Sequence, residues 1–189
     1  MASEFEDSIR GQIRAEILSI NPFDELERLH VNDALAWVDS DAGLFRINKP
    51  AMPPKHLVSY FAVVDYDHIL LVDHKNAGLW LPAGGHVEPG EHPRATVVRE
   101  IQEELGWIPA QPIEAPLMIT CTITTGRTAG HMDVSLWYVV YGNRTQKLEY
   151  DRGEFNSINW FPFDAIPFHQ SDPQMNRFIQ KLTQKFSVS

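Results

Sequence analysis

Three glutamates, Glu100, Glu103 and Glu104, stand within five residues of one another. In a helix their spacings of three and four residues bring the carboxylates onto one face, a turn apart. Like charges so placed repel by about 0.2–0.5 kcal/mol per pair. A hard divalent cation reverses that balance, because oxygen ligands from neighbouring turns can share one ion. The plain alternative is a solvated acidic helix face, the ordinary meaning of a glutamate run.

The surrounding residues describe how these carboxylates are positioned. Pro82, Gly84, Gly85, Pro89 and Gly90 predict a loop over residues 82–90. Glycines there permit close backbone approach to a ligand. Pro93 suits the first turn of a helix, where its missing N–H costs nothing. From there Ala95, Val98, Ile101, Gln102 and Leu105 recur at helical spacing and predict the buried stripe. Gly106 follows as a terminator. The glutamates therefore project from the second half of a helix, with the loop free to fold back over them.

Taken whole, Gly85 to Trp107 resembles the Nudix box: Gly, five residues, Glu, seven residues, then Arg-Glu-apolar-x-Glu-Glu-x-Gly-apolar. Gly85, Glu91, Arg99, Glu100, Ile101, Glu103, Glu104 and Gly106 meet every fixed position. Trp107 fills the last apolar position, where a smaller aliphatic residue is more usual. Leu81-Pro82-Ala83-Gly84 also resembles the family's approach to its box. The resemblance implies hydrolysis of a nucleoside diphosphate linked to another moiety, with Mg²⁺ or Mn²⁺ as cofactor. By similarity the metal ligands are Glu100, Glu103 and Glu104, joined by the backbone carbonyl of Gly84. Arg99 resembles the arginine that orients the glutamates, and Glu91 the residue that ties loop to helix. In many relatives a further carboxylate lies six residues before the tryptophan of a Trp-Phe-Pro strand. Trp160-Phe161-Pro162 makes that residue Glu154, as metal ligand or general base, with Asp151 and Glu149 as the alternatives. The fold implied is of the α/β class, an α/β/α sandwich around a mixed β-sheet, over about residues 55–186.

Other readings of the same resemblance stay open. A Nudix-fold sensor that has lost catalysis is one, although such proteins usually lose box glutamates and all are present here. An isoprenoid diphosphate isomerase would need catalytic residues that the sequence does not place. None of the extra sequence tags of the family's NADH or coenzyme A subgroups is found, which favours a nucleoside triphosphate or similar nucleotide; ADP-ribose-like compounds remain candidates.

Several residues beside the box have both a chemical and a plain reading. His86 follows Gly85 in the loop and either touches substrate phosphate or is a surface histidine. Lys75 and Arg127 are candidate phosphate-binding cations, although most lone cations are solvated surface. His131, Asp133 and Ser135 share one face of a predicted strand, directed either to a cavity or to solvent. Trp80, Trp107, Trp137 and Tyr60 either stack on a base or belong to the core. The eight histidines show no zinc-ligand spacing in sequence. No P-loop or dinucleotide fingerprint is present, and no Ser-His-Asp arrangement can be read from order alone.

The chain of 189 residues supports one domain. Residues 51–189 are the expected Nudix domain, and residues 1–50 a helical extension packed on it. Phe5, Ile9, Ile13, Ile17 and Ile20 form one helical stripe, ended by Asn21-Pro22. Asp24 and Glu27 resemble a capping box opening a second helix. These helices pack on the sheet, cover the site or make a homodimer contact. Strands are expected at 56–65, 68–73 and 158–162, and in the alternations from Ile119 to Thr124 and from His131 to Val140. Gly126 to Gly130 is an expected turn, and Asp172-Pro173 opens a last helix. No apolar run is long enough for a bilayer and no leader is apparent, so a cytoplasmic protein is expected. The single cysteine, Cys121, suits a reducing compartment and reads as a core thiol. A net charge of −9 argues against a nucleic-acid polymer as partner but not against a small nucleotide held through metal.

Overall fold

The computed structural model describes residues 2–48, 52–124 and 130–188. In chain order the elements are α1 (Ala2–Leu18), α2 (Glu25–Val38), β1 (Lys55–Asp65), β2 (His68–His74), β3 (Leu79–Leu81), β4 (Ala83–His86), α3 (Pro93–Leu105), β5 (Met118–Ile123), β6 (Met132–Tyr141), β7 (Phe155–Pro162) and α4 (Met175–Val188). Near-continuous apolar runs in β1 and β6 call for burial on both faces, as central parallel strands require. These two strands pair in parallel from Lys55↔Met132 to Val64↔Tyr141. β5 runs antiparallel to β6 on the far side. On its other edge β1 meets β4 in its first half and β2 in its second, both antiparallel. β2 in turn pairs with β3 and β7.

Alternation along the strands divides the core in two. Leu57, Phe61 and Val63 of β1 join Val134, Leu136 and Tyr138 of β6 beneath α1, α2 and α3. Ala62, Val64, Trp137 and Val139 face the other way, against Met175, Phe178, Ile179 and Leu182 of α4. The result is a mixed sheet between helical layers, the α/β/α sandwich that the box implied. Trp137 is core, 1% exposed, with Tyr60 packed edge-on against it.

The N-terminal helices pack their apolar faces onto this sheet. Ile9, Ile13, Ile17 and Ile20 are all buried. Arg10 of α1 donates to the carbonyls of Val38, Ser40 and Ala42, satisfying acceptors left open where α2 ends. Asp24 accepts from Glu27 N–H at 2.8 Å while Glu27 accepts from Phe23 N–H at 2.7 Å, close to a reciprocal cap. Glu27 is fully buried and pairs with Lys181 of α4 at 2.7 Å.

Residues 83–86, inside the loop expected over 82–90, instead form β4, because pairing with β1 satisfies their backbone groups. Three further details depart from the sequence expectations. The buried side of α3 consists of Thr96, Val97, Ile101, Glu104 and Leu105. Ala95 and Gln102 are exposed, and Val98 is 41% exposed. The helix is turned by about one residue because its buried face must carry Glu104 as well as the aliphatics. Second, β7 begins at Phe155 rather than 158, since pairing to His74 extends it. Third, the face of β6 bearing Asp133 and Ser135 is not a solvent face, since Ser135 is 2% exposed and the Asp133 side chain 15%. Residues 126–129 of the expected turn lie outside the described residues.

Candidate metal and phosphate site

Helix α3 starts where His92 accepts from Arg94 N–H at 3.2 Å, with Pro93 in the first turn. It ends at Gly106, whose left-handed backbone stops it. Burying Val97, Ile101 and Leu105 directs Glu100 and Glu104 toward β4. That strand can come close only because two of its residues lack side chains. A Cβ on Gly85 would stand 1.9 Å from Glu100 Oε1. Gly84 has φ +150° and a Cβ there would meet the Ser59 carbonyl at 2.2 Å. Gly84 N–H instead donates to Glu104 Oε2 at 3.1 Å.

Arg99 organises the remaining carboxylates. It grips Glu91 with Nε and Nη2, both at 3.0 Å, a bidentate pairing. Its Nη1 donates to Glu100 at 2.7 Å and to Glu103 at 3.2 Å, and Nη2 also reaches the His86 carbonyl at 3.3 Å. Glu91 further accepts from Thr96 Oγ1 and Glu88 N–H, so loop and helix are tied at one carboxylate. Burial opposes ionisation of Glu91, but these bonds outweigh it and lower its pKa.

The box glutamates form a gradient from buried to open. Glu104 is 4% exposed, whereas the side chains of Glu100 and Glu103 are 13% and 60% exposed. Burial pushes Glu104 up to about 9, and the charges of Glu100 and Glu154 push the same way against the Gly84 bond. Glu100 is raised as well, by burial first, with Arg99 opposing. Two carboxyls that resist ionisation, converging on a side-chain-free strand, suit a hard cation: its charge would replace what burial takes away. The divalent metal implied by the box fits these residues.

Glu154 shares this electrostatic neighbourhood, since its charge is felt by both Glu100 and Glu104. The β2–β7 pairing delivers it, and its Oε1 lies 3.2 Å from His74 Nε2. Of the alternatives, Asp151 also influences Glu104, but its Oδ1 accepts from Gly153 N–H and serves its own turn. The backbone of Glu149 packs against Gly106, at the far end of α3. Lys75 lies beside Glu154, its N–H on the Glu154 carbonyl and its amine on the Arg152 carbonyl. Arg127 lies outside the described residues.

His86, Asp133 and His131 are brought together elsewhere. Gly85 opposes Ser59 and His86 opposes Val58, so consecutive residues of β4 face opposite sides of the sheet. Gly85 faces α3 and the glutamates, while His86 turns away from them toward His56, His131 and Asp133. Sequence reasoning missed His56 and His74. His74 is a polar strand end within range of Glu154. His56 offers one signal, a histidine leading an apolar strand, where burial demands a partner.

A model of the NUDIX domain matches residues 55–182. No curated protein matches the chain. Among solved structures, a MutT NUDIX hydrolase from Burkholderia pseudomallei is similar with a TM-score of 0.58 at 23% identity, covering 67% of this chain and 97% of its own. A NUDIX-family hydrolase from Clostridium perfringens is similar with a TM-score of 0.52 at 20% identity, covering 68% and 96%. The NUDIX domain of Shewanella oneidensis NrtR, solved with ADP ribose, is similar with a TM-score of 0.56 at 18% identity, covering 74% and 94%. At these identities the likeness establishes the fold.

Proposed function

The chain belongs to the NUDIX family, and from that premise we propose that it is a divalent-metal-dependent pyrophosphohydrolase acting on a nucleotide, with nucleoside triphosphates and their close relatives as the favoured class. The observation that carries this reading is that Glu100 and Glu104 are brought together against Gly85 and Gly84, with Glu154 close enough for its charge to raise both. Carboxylates spaced only for stability would not be buried against one another.

In this reading Glu100, Glu103 and Glu104 hold Mg²⁺ or Mn²⁺, with the Gly84 backbone beside them. When bound, the cation neutralises charge on the diphosphate and makes a bound water more acidic. Glu104 is oriented by the Gly84 N–H, and Glu100 by Arg99. Arg99 is a positioning residue, since its guanidinium is spent on Glu91, Glu100, Glu103 and the His86 carbonyl. In the same reading Glu154, half-exposed and with His74 at 3.2 Å, is the base that accepts the proton of the attacking water, which its charge on Glu100 and Glu104 supports. Lys75 stands beside it and can exchange the Arg152 carbonyl for a phosphate oxygen.

The test is a turnover screen over nucleoside triphosphates, nucleotide sugars, ADP-ribose and dinucleotides, with and without Mg²⁺, in which inorganic pyrophosphatase (for the triphosphates) or a phosphomonoesterase (for the others) converts the products to orthophosphate. ADP-ribose is included because a NUDIX domain of similar fold was solved with it. Metal-dependent turnover that collapses in Glu103→Gln and Glu104→Gln is expected. Binding without turnover of any compound would establish the sensor reading instead. Full activity of Glu154→Gln would transfer its role to Asp151.

A further inference from the structure

We propose that His56, His86, His131 and Asp133 form a second metal site, separate from the glutamates and suited to a borderline transition-metal dication, zinc above all. One donor atom from each residue lies within 4.8 Å of all the others. Asp133 Oδ1 is 3.2 Å from both His56 Nε2 and His131 Nε2. Four nitrogen and oxygen donors at about 2.0–2.1 Å around a tetrahedral ion stand about 3.3 Å apart, so these separations already match.

The contacts are not hydrogen bonds that explain the cluster away. His56 Nε2, His86 Nε2 and Asp133 Oδ1 are buried and have no hydrogen-bond partner. His56 is wholly buried. Buried polar atoms are ordinarily paired, and three orphans aimed at one point call for an occupant.

The outer bonds set the imidazoles for ligation. His56 Nδ1 lies 2.9 Å from the Pro53 carbonyl, which only an N–H can satisfy, so Nε2 carries the lone pair. Thr124 Oγ1 donates to the His131 carbonyl at 3.2 Å and can accept from His131 Nδ1, also at 3.2 Å. That leaves His131 Nε2 free to ligate as well. Arg46 is the cation nearest in effect to both His86 and Asp133. It is only partly buried, and its long side chain can swing toward solvent when an ion enters.

Three imidazoles and one carboxylate select zinc over magnesium, which prefers an all-oxygen shell. The ligands come from β1, β4, the start of β6 and the residue before it, so the ion would fasten the ends of three strands. His86 is one residue from Gly85, and the fastening would hold β4 in place against Glu100 from behind.

Cobalt(II) tests this directly on the intact chain after treatment with chelator. One equivalent is expected to give the intense visible bands of tetrahedral cobalt, discharged by one equivalent of Zn²⁺. Glu103→Gln with Glu104→Gln is expected to leave the bands unchanged. His131→Gln and Asp133→Asn are each expected to abolish them or weaken Co²⁺ binding at least tenfold, with metal-free melting curves confirming that each variant folds. Wild type without such bands, bands that survive both cluster variants, or bands lost in the glutamate variant would overturn the proposal. Because the glutamate variant carries the hydrolase test and the cluster variants this one, the two readings fail separately.

Discussion

At the scale of single residues, the site depends on what is missing as much as on what is present. Glu100 occupies the volume that any side chain at position 85 would need. Gly85→Ala is therefore expected to displace Glu100 and lower kcat/KM by about 10–100-fold, the range for residues that orient metal ligands. The melting temperature should change little, since the displaced carboxylate can move toward solvent; circular dichroism and turnover measurements separate the two effects. Cys121 offers a contrast. Burial pushes its thiol up to about 12, so almost no thiolate exists at pH 8. A thiol reagent should leave the folded protein unmodified at that pH and react once denaturant is added. The three orphaned ligand atoms at His56, His86 and Asp133 show where residue-level reading from sequence ends. Their positions, 56, 86 and 133, have no spacing that marks a metal site, and only the β1–β4 and β1–β6 registers make them neighbours.

At the scale of elements, two long-range ion pairs join α2 to α4. Lys181 and Glu27 have side chains only 10% and 0% exposed. Lys181→Met leaves Glu27 as an uncompensated buried charge and is expected to cost about 3–5 kcal/mol in urea unfolding. Adding Glu27→Gln should recover much of that loss. Asp24 caps α2 and accepts from Arg177 of α4 at 2.8 Å. The Arg177 bonds hold Asp24 down at about 2, below its ordinary 3.8. The pair's contribution is therefore fully present above pH 3.8 and is lost as pH falls from there toward 2. Acid titration of Asp24→Asn, which keeps a good cap, should show a shallower stability decline across that window than wild type. The capping residues were legible from the sequence because their partners are three and four positions away. Their cationic partners were not, being more than 150 residues distant. Helix α3 was legible in extent, from Pro93 to Gly106, yet its buried face was misplaced by about one residue. Hydrophobic periodicity gives a glutamate no weight as a buried residue, and here Glu104 is one.

At the scale of the whole molecule, the layers follow from the sequence pattern, while the standing of the N-terminal helices does not. Ile13 and Ile17 of α1 and Ala34 and Val38 of α2 lie in the same core as Leu57, Val97 and Leu136. Glu16 of α1 also pairs with Arg94 of α3, about two turns before the box glutamates. A chain starting at residue 52 would expose that apolar surface and is expected to aggregate or melt far below the intact protein; analytical ultracentrifugation and a thermal melt would tell. Among the described residues no helix is long and apolar enough to cross a membrane. The pairing of Glu27 with Lys181 also constrains how the molecule is made. Its partners are 154 positions apart, so α2 carries a carboxylate whose counterion is translated only 154 residues later. Parallel pairing of β1 with β6 delays closure further, since loops this long are slow to find their ends. The nascent α2 therefore has to wait, unfinished, for α4 to emerge, and refolding from denaturant should be governed by that long-range encounter rather than by the local helices that form first.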